Sequence, residues 1–111
     1  MNVIEKTEGT KINHSIMGDT ILVLEEELYL NLEKYQRDYP VHIDISRNEF
    51  NMLVMGTSRE YVAQIDIPEK TYRMVDTGKT TEEGTPIMEK VHDEFDMNTV
   101  TLTLWGGNAN V

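Results

Sequence analysis

From Pro40 onward the apolar residues of this chain recur at every second position. Val41, Ile43 and Ile45 alternate with His42, Asp44 and Ser46; Tyr61, Ala63, Ile65 and Ile67 share one parity; Val100, Leu102 and Leu104 alternate with Thr99, Thr101, Thr103 and Trp105. A period of two sends successive side chains to opposite faces, so each run reads as a strand with one buried face. Phe50–Met55 reads as a further strand, with polar breaks at Ser46–Glu49 and Gly56–Arg59 on either side, and Pro68 closes the run that begins at Tyr61. Thr71–Val75 is a shorter strand, residues 76–86 form a long polar loop with two glycines, and Ile87–Val91 can pair back across that loop. Upstream, Thr10–Met17 alternates with Ile12, His14 and Ile16 on one side, and Gly18-Asp19 marks a turn.

The segment Thr20–Tyr39 supports two periods. Ile21, Leu24, Leu28, Leu32 and Tyr35 make a helical stripe, while Leu22, Leu24, Leu28, Leu30 and Leu32 share a strand parity interrupted by Glu26. Three consecutive glutamates, Glu25–Glu27, suit a helix surface and are depleted in sheets, and Pro40 ends the element. The expected fold is therefore α+β, with one helix over about 20–37 packed on an antiparallel sheet of five to seven strands. An all-β sandwich or small barrel is the alternative, and follows if residues 20–37 are extended. Residues 1–111 read as a single domain with a loose N-terminal arm over 1–9, or a short edge strand there, and a frayed tail over 106–111.

Charge narrows the partners. Ten basic against twenty acidic side chains give a formal net charge of −10. The excess lies at the two ends, since residues 31–78 hold six bases and eight acids. Such a field repels phosphate backbones and anionic membranes and steers a basic protein surface toward the chain. No direct nucleic-acid or membrane partner is expected. No stretch reaches the ~20 apolar residues of a membrane span, and Met1–Thr10 lacks a secretory layout, so a soluble cytoplasmic protein is expected. The absence of cysteine excludes disulfides, thiol catalysis and thiolate metal sites. Seven methionines accompany two phenylalanines and one tryptophan; Met52 and Met55 read as core, and Met17, Met74, Met88 and Met97 lie near turns or strand ends.

Catalytic patterns are weak. Asp76-Thr77-Gly78 spells the tripeptide of retroviral-type aspartic proteases, but it sits in a polar stretch with only 33 residues after it. Gly78-Lys79-Thr80 echoes the end of a phosphate-binding loop, whose first glycine would fall at Arg73. Ser15, Ser46 and Ser58 lack a nucleophile elbow. His42 and Asp44 project from one strand face and, with His92, form the least weak metal-ligand set, without paired-histidine spacing. No enzyme activity, cofactor or metal is expected.

Two surfaces carry the functional expectation. Glu25, Glu26, Glu27 and Glu33, with Glu82, Glu83, Asp93, Glu94 and Asp96, present carboxylates to a basic protein surface and can imitate a nucleic-acid backbone. Thr99, Thr101, Thr103 and Trp105 make a pleated contact face, and self-association follows if their strand lies at a sheet edge. The leading reading is a small acidic interaction module. The alternatives are a structural subunit of a homomeric assembly of the phage or mobile-element kind, and a small metal-dependent enzyme.

Overall fold

The computed structural model describes residues 1–106. In chain order the elements are β1 (Asn2–Glu5), β2 (His14–Met17), β3 (Ile21–Leu24), β4 (Leu28–Asn31), a 3-10 turn (Leu32–Tyr35), β5 (Val41–Arg47), β6 (Leu53–Met55), β7 (Glu60–Ile67), β8 (Tyr72–Thr80), β9 (Pro86–His92), a second 3-10 turn (Met97–Thr99) and β10 (Thr101–Leu104). They form three sheets: a five-stranded sheet in the order β1-β10-β7-β5-β6, a three-stranded sheet β2-β3-β4, and the two-stranded β8-β9. All pairs are antiparallel except β1 with β10.

The expected helix over 20–37 is absent. Ile21–Leu24 and Leu28–Asn31 are strands that pair with each other, and only Leu32–Tyr35 coils, as one 3-10 turn. The strand parity is the one that the core uses: Leu22, Leu24, Leu30 and Leu32 are buried, whereas the helical stripe leaves Tyr35 only half-buried. The glutamates make the turn. Glu25 and Glu26 both adopt left-handed backbone (φ 55° and 54°), and Glu27 N donates to the Leu24 carbonyl at 3.0 Å. Two consecutive left-handed residues are the backbone of a hairpin turn of the primed type, normally written with Asn and Gly.

Side-chain partners hold these glutamates there. Glu25 accepts from Asn13 N at 3.1 Å and lies 3.8 Å from Arg47, while Glu27 accepts from Leu53 N at 2.9 Å and lies 3.9 Å from the same guanidinium. The turn of the three-stranded sheet is thereby tied to the β5–β6 hairpin of the five-stranded one. Beneath it the two sheets share one core, in which Leu22, Leu24, Leu30 and Leu32 meet Ile43, Ile45, Ala63, Ile65, Ile67, Leu102 and Leu104.

Strand β7 carries one irregularity. Ile45 pairs with Ala63 but Ser46 pairs with Tyr61, leaving Val62 as an extra residue. Such a bulge rotates the side chains beyond it to the other face. Val62 and Ala63 are both buried, and Tyr61, expected on the apolar side with Ala63, points to the outer face. The methionines also sort differently from expectation: Met52 and Met55 are exposed and Met97 is core.

At the N-terminus, residues 2–5 take the edge-strand alternative, on β10, held by Asn2 N to the Val100 carbonyl and Lys6 N to the Leu104 carbonyl, each 2.8 Å. Of the expected tail, Gly106 donates to Thr7 Oγ1 at 2.7 Å, and residues 107–111 lie outside the described residues.

Left-handed backbone costs about 1 kcal/mol or more at a residue with a Cβ. Glu26→Gly is expected to raise stability by about 1 kcal/mol in urea denaturation, because Glu26 is exposed, whereas Glu25→Gly is expected to gain less or lose, because it removes the contacts to Asn13 and Arg47. Ile65→Ala, at a fully buried centre of the core, is expected to cost roughly 2–5 kcal/mol.

Candidate functional site

The outer face of the five-stranded sheet carries a connected polar network. Register builds it: Thr101 pairs with Asp66 and Asp66 with His42, while Thr103 pairs with Gln64 and Gln64 with Asp44. Two rows of polar side chains thus cross β10, β7 and β5, and the bulge at Val62 adds Tyr61 beside them. His42 Nδ1 lies 2.9 Å from Asp66 Oδ1, and His42 Nε2 lies 2.6 Å from Asp44 Oδ1. Tyr61 OH donates to Asp44, and Gln64 Nε2 donates to Asp66 Oδ2 at 3.1 Å. The ring of Tyr61 meets Trp105 edge-on, with centroids 4.7 Å apart and planes at 87°, an arrangement that ring quadrupoles favour.

Both partners of the imidazole are acceptors, so the ring is satisfied only as the doubly protonated cation. Its pKa is accordingly raised above 6.5, chiefly by the Asp66 hydrogen bond, with burial opposing and the Asp44 hydrogen bond and the charges of both carboxylates adding to the rise. The Asp44 carboxyl is held below its usual range, first by the Tyr61 hydroxyl and then by His42. Burial and the Asp44 carboxylate push the Tyr61 hydroxyl well above its ordinary value. An imidazolium hydrogen-bonded through both nitrogens has no lone pair with which to accept a proton or bind a metal. The shallow cleft of 320 Å³ alongside, between Pro40, Glu69 and Thr99, abuts His42 and Asp66.

His42 and Asp44 do share a face, as their spacing indicates, but His92 stands at the end of β9 with its Nδ1 3.1 Å from the Asp93 carbonyl. Among the described residues no group of three or more His, Asp or Glu side chains is placed to hold a metal ion. No helix there is long and apolar enough to cross a membrane. Asp66, Gln64 and Tyr61 escaped the sequence reading. The polar parity of β7 was visible, but which strand it pairs with, and the extra residue that turns Tyr61 over, were not.

The nine acidic candidates fall at different places in the fold. Glu25 and Glu27 are engaged internally by Arg47, Asn13 and Leu53, and Glu26 stands exposed between them. Glu33 lies in the first 3-10 turn, and Glu82 and Glu83 occupy the tip of the β8–β9 hairpin. Asp93 accepts from Thr71 Oγ1 at 2.6 Å and from Arg73 at 3.1 Å, and Asp96 caps the second 3-10 turn through Asn98 N at 2.9 Å. Glu94, between these two, is exposed. The contact face imagined on the last strand is interior: β10 runs between β1 and β7, Thr103 is buried, Thr101 and Trp105 are half-buried, and Thr99 belongs to the preceding 3-10 turn. That strand's edges are already paired, so it cannot add a strand from another chain.

The polar loop expected at 76–86 is mostly strand. β8 runs on to Thr80 and β9 starts at Pro86, leaving a turn of five residues. Asp76-Thr77-Gly78 is a bulge in β8: Gly78 has φ 80°, and its N–H donates to Asp76 Oδ1 at 2.8 Å. With that carboxylate bonded to its own turn, the tripeptide serves as strand geometry.

The titration has a definite sign. A raised His42 pKa gives stability that is complete below pH 6.5 and is lost as pH rises through the folded value; a lowered Asp44 pKa gives stability present above pH 3.8 and lost as pH falls through its folded value. The network therefore contributes most between these limits. Proton NMR is expected to show His42 titrating above 6.5, and Asp66→Asn and Asp44→Asn each to lower that value; an unchanged midpoint in both would mean the contacts do not persist in solution.

No protein-family model, curated protein or solved structure matches this chain, so the geometry and chemistry of its own residues are the ground for a functional reading.

Proposed function

We propose that this chain is a non-enzymatic protein–protein interaction module whose contact element is the β8–β9 hairpin. The observation that carries this reading is that the hairpin is an arm without a supporting layer. Its strands pair only with each other among the described residues, and of their side chains only Val75 and Val91 are even half-buried. Nine residues of β8 reach roughly 30 Å. The described fold is long to match, with extents of 73 × 21 × 21 Å and a radius of gyration of 19.2 Å, against about 13 Å for a compact domain of this length.

An isolated two-stranded hairpin is marginal in water, since it buries little apolar surface against the entropy of ordering its backbone. This one nevertheless exposes Tyr72, Met74, Ile87 and Met88. It is fastened at its base by Lys70 N to the Arg37 carbonyl at 2.8 Å and by the Tyr72 hydroxyl on Asp38, while Asp93 N to the Thr71 carbonyl, also 2.8 Å, closes its two legs on each other. A rigid root under an exposed, partly apolar arm fits an element that gains its remaining stability from another protein. Dispersal of the acidic side chains, with Glu25 and Glu27 engaged internally, moves the interaction from the carboxylates to the arm, where Glu82 and Glu83 mark the tip. The satisfied chemistry around His42 supports the non-enzymatic part of the reading.

Replacing residues 73–91 by a short turn between Tyr72 and His92 removes the arm and none of the buried core. The shortened chain is expected to melt within a few degrees of the whole one and to lose the partners that the whole chain captures from its native host, further copies of itself included. Capture that is indifferent to the arm would overturn the proposal.

A further inference from the structure

Building on that reading, we infer that the arm's partner is a second copy of this chain, joined edge to edge through β8 to make a four-stranded sheet in the order β9-β8-β8-β9. The base of the hairpin sets which backbone groups are open. Asp93 N bonds the Thr71 carbonyl, and alternate pairs of an antiparallel ladder exchange hydrogen bonds, so Arg73 with Val91 and Val75 with Glu89 bond inward. The N–H and carbonyl groups of Tyr72, Met74 and Asp76 therefore face out from the free edge of β8. Beyond Asp76 the bulge at Gly78 breaks the edge, so the regular template runs from Tyr72 to Asp76.

Charge selects both the partner and the strand. In a chain of net charge −10, the two strands of the arm hold Arg73, Lys79 and Lys90 against Asp76 and Glu89, which makes them the stretch where two copies meet without acid facing acid. Antiparallel self-pairing of β8 about Met74 sets Met74 on Met74, Arg73 on Val75 and Tyr72 on Asp76; pairing about Val75 sets Val75 on Val75 and Met74 on Asp76. Neither opposes like charges. Self-pairing of β9 about Glu89 or Lys90 opposes two glutamates or two lysines, and pairing about Met88 brings in Pro86, which has no N–H to give.

Area agrees. The chain exposes 7510 Å², about 1,200 Å² more than the ~6,300 Å² of a compact monomer of 12.8 kDa, and a standard interface takes about 800 Å² from each partner.

The cysteine-free chain makes the test direct. Across the joined edge the Cα atoms of residue 74 or 75 fall about 4.5–5.5 Å from their copies, within disulfide reach, whereas the two β9 strands lie three strand spacings apart, roughly 14 Å. Met74→Cys or Val75→Cys is expected to oxidise to a covalent dimer as the major species, while Met88→Cys remains monomeric. Light scattering is expected to show a concentration-dependent dimer in the whole chain, weakened about tenfold or more by Met74→Lys, which sets two lysines at the edge. A whole chain that stays monomeric, with neither cysteine variant crosslinking, would overturn self-pairing. If the arm still captured a different protein under those conditions, the interaction reading would stand and only the identity of the partner would fall. Crosslinking of Met88→Cys as readily as Met74→Cys would overturn the β8 edge as the joint.

Discussion

Strand β7 is hydrogen-bonded along both edges, to β10 on one side and β5 on the other, and the single extra residue within it decides what each face of the sheet carries. From Ala63 to Ile67 its odd positions face the core. At Val62 the alternation shifts, so two consecutive side chains are buried and Tyr61 crosses to the outer face. The core gains a valine, and the polar rows on the other face gain the hydroxyl that holds Asp44 and the ring that meets Trp105. Without that one-residue offset Tyr61 would fill the interior, and His42 would lose the ordering of one of its two carboxylates.

The remainder of the body follows from burying leucines. Leu22, Leu24, Leu30 and Leu32 have no cover within a three-stranded sheet and find it against Ile43, Ile45 and Ile65. Two sheets meeting face to face still require their turns to be placed, and here Arg47 bridges Glu25 and Glu27 while backbone bonds to Asn13 and Leu53 complete the link. Glutamates that look like solvating charge are, in this position, the staples of a strained turn. The arm inverts the situation: among the described residues it has two strands, no covering layer and an unpaired edge, so it buries little apolar surface of its own.

Much of the sheet could be read directly. The alternation of Val41–Ile45, Ala63–Ile67 and Val100–Leu104 indicated strands and named their buried parity correctly, because one face of each run meets the core. Residues 20–37 were misread because leucines at 22, 24, 28, 30 and 32 satisfy a period of two only if the chain reverses at Glu25–Glu26, and glutamate carries no mark of left-handed backbone. Residues 76–86 were misread for the opposite reason. A strand solvated on both faces has no apolar alternation to reveal it, so the part of β8 beyond Val75 looked like loop.

Local chemistry alone determined the strand runs at 41–45, 63–67 and 100–104 with their core-facing residues, the breaks at Pro40 and Pro68, and a formal net charge of −10. Those properties depend on neighbours within a few positions, or on sums over the whole chain. Tertiary structure decided which strands are neighbours, and hence that His42 lies between Asp44 and Asp66, that β10 is interior, that Glu25 and Glu27 bind inward, and that β8 pairs with β9 alone among the described residues. Each of these depends on register between residues distant in sequence, which follows from burying one common core, and no single segment encodes it.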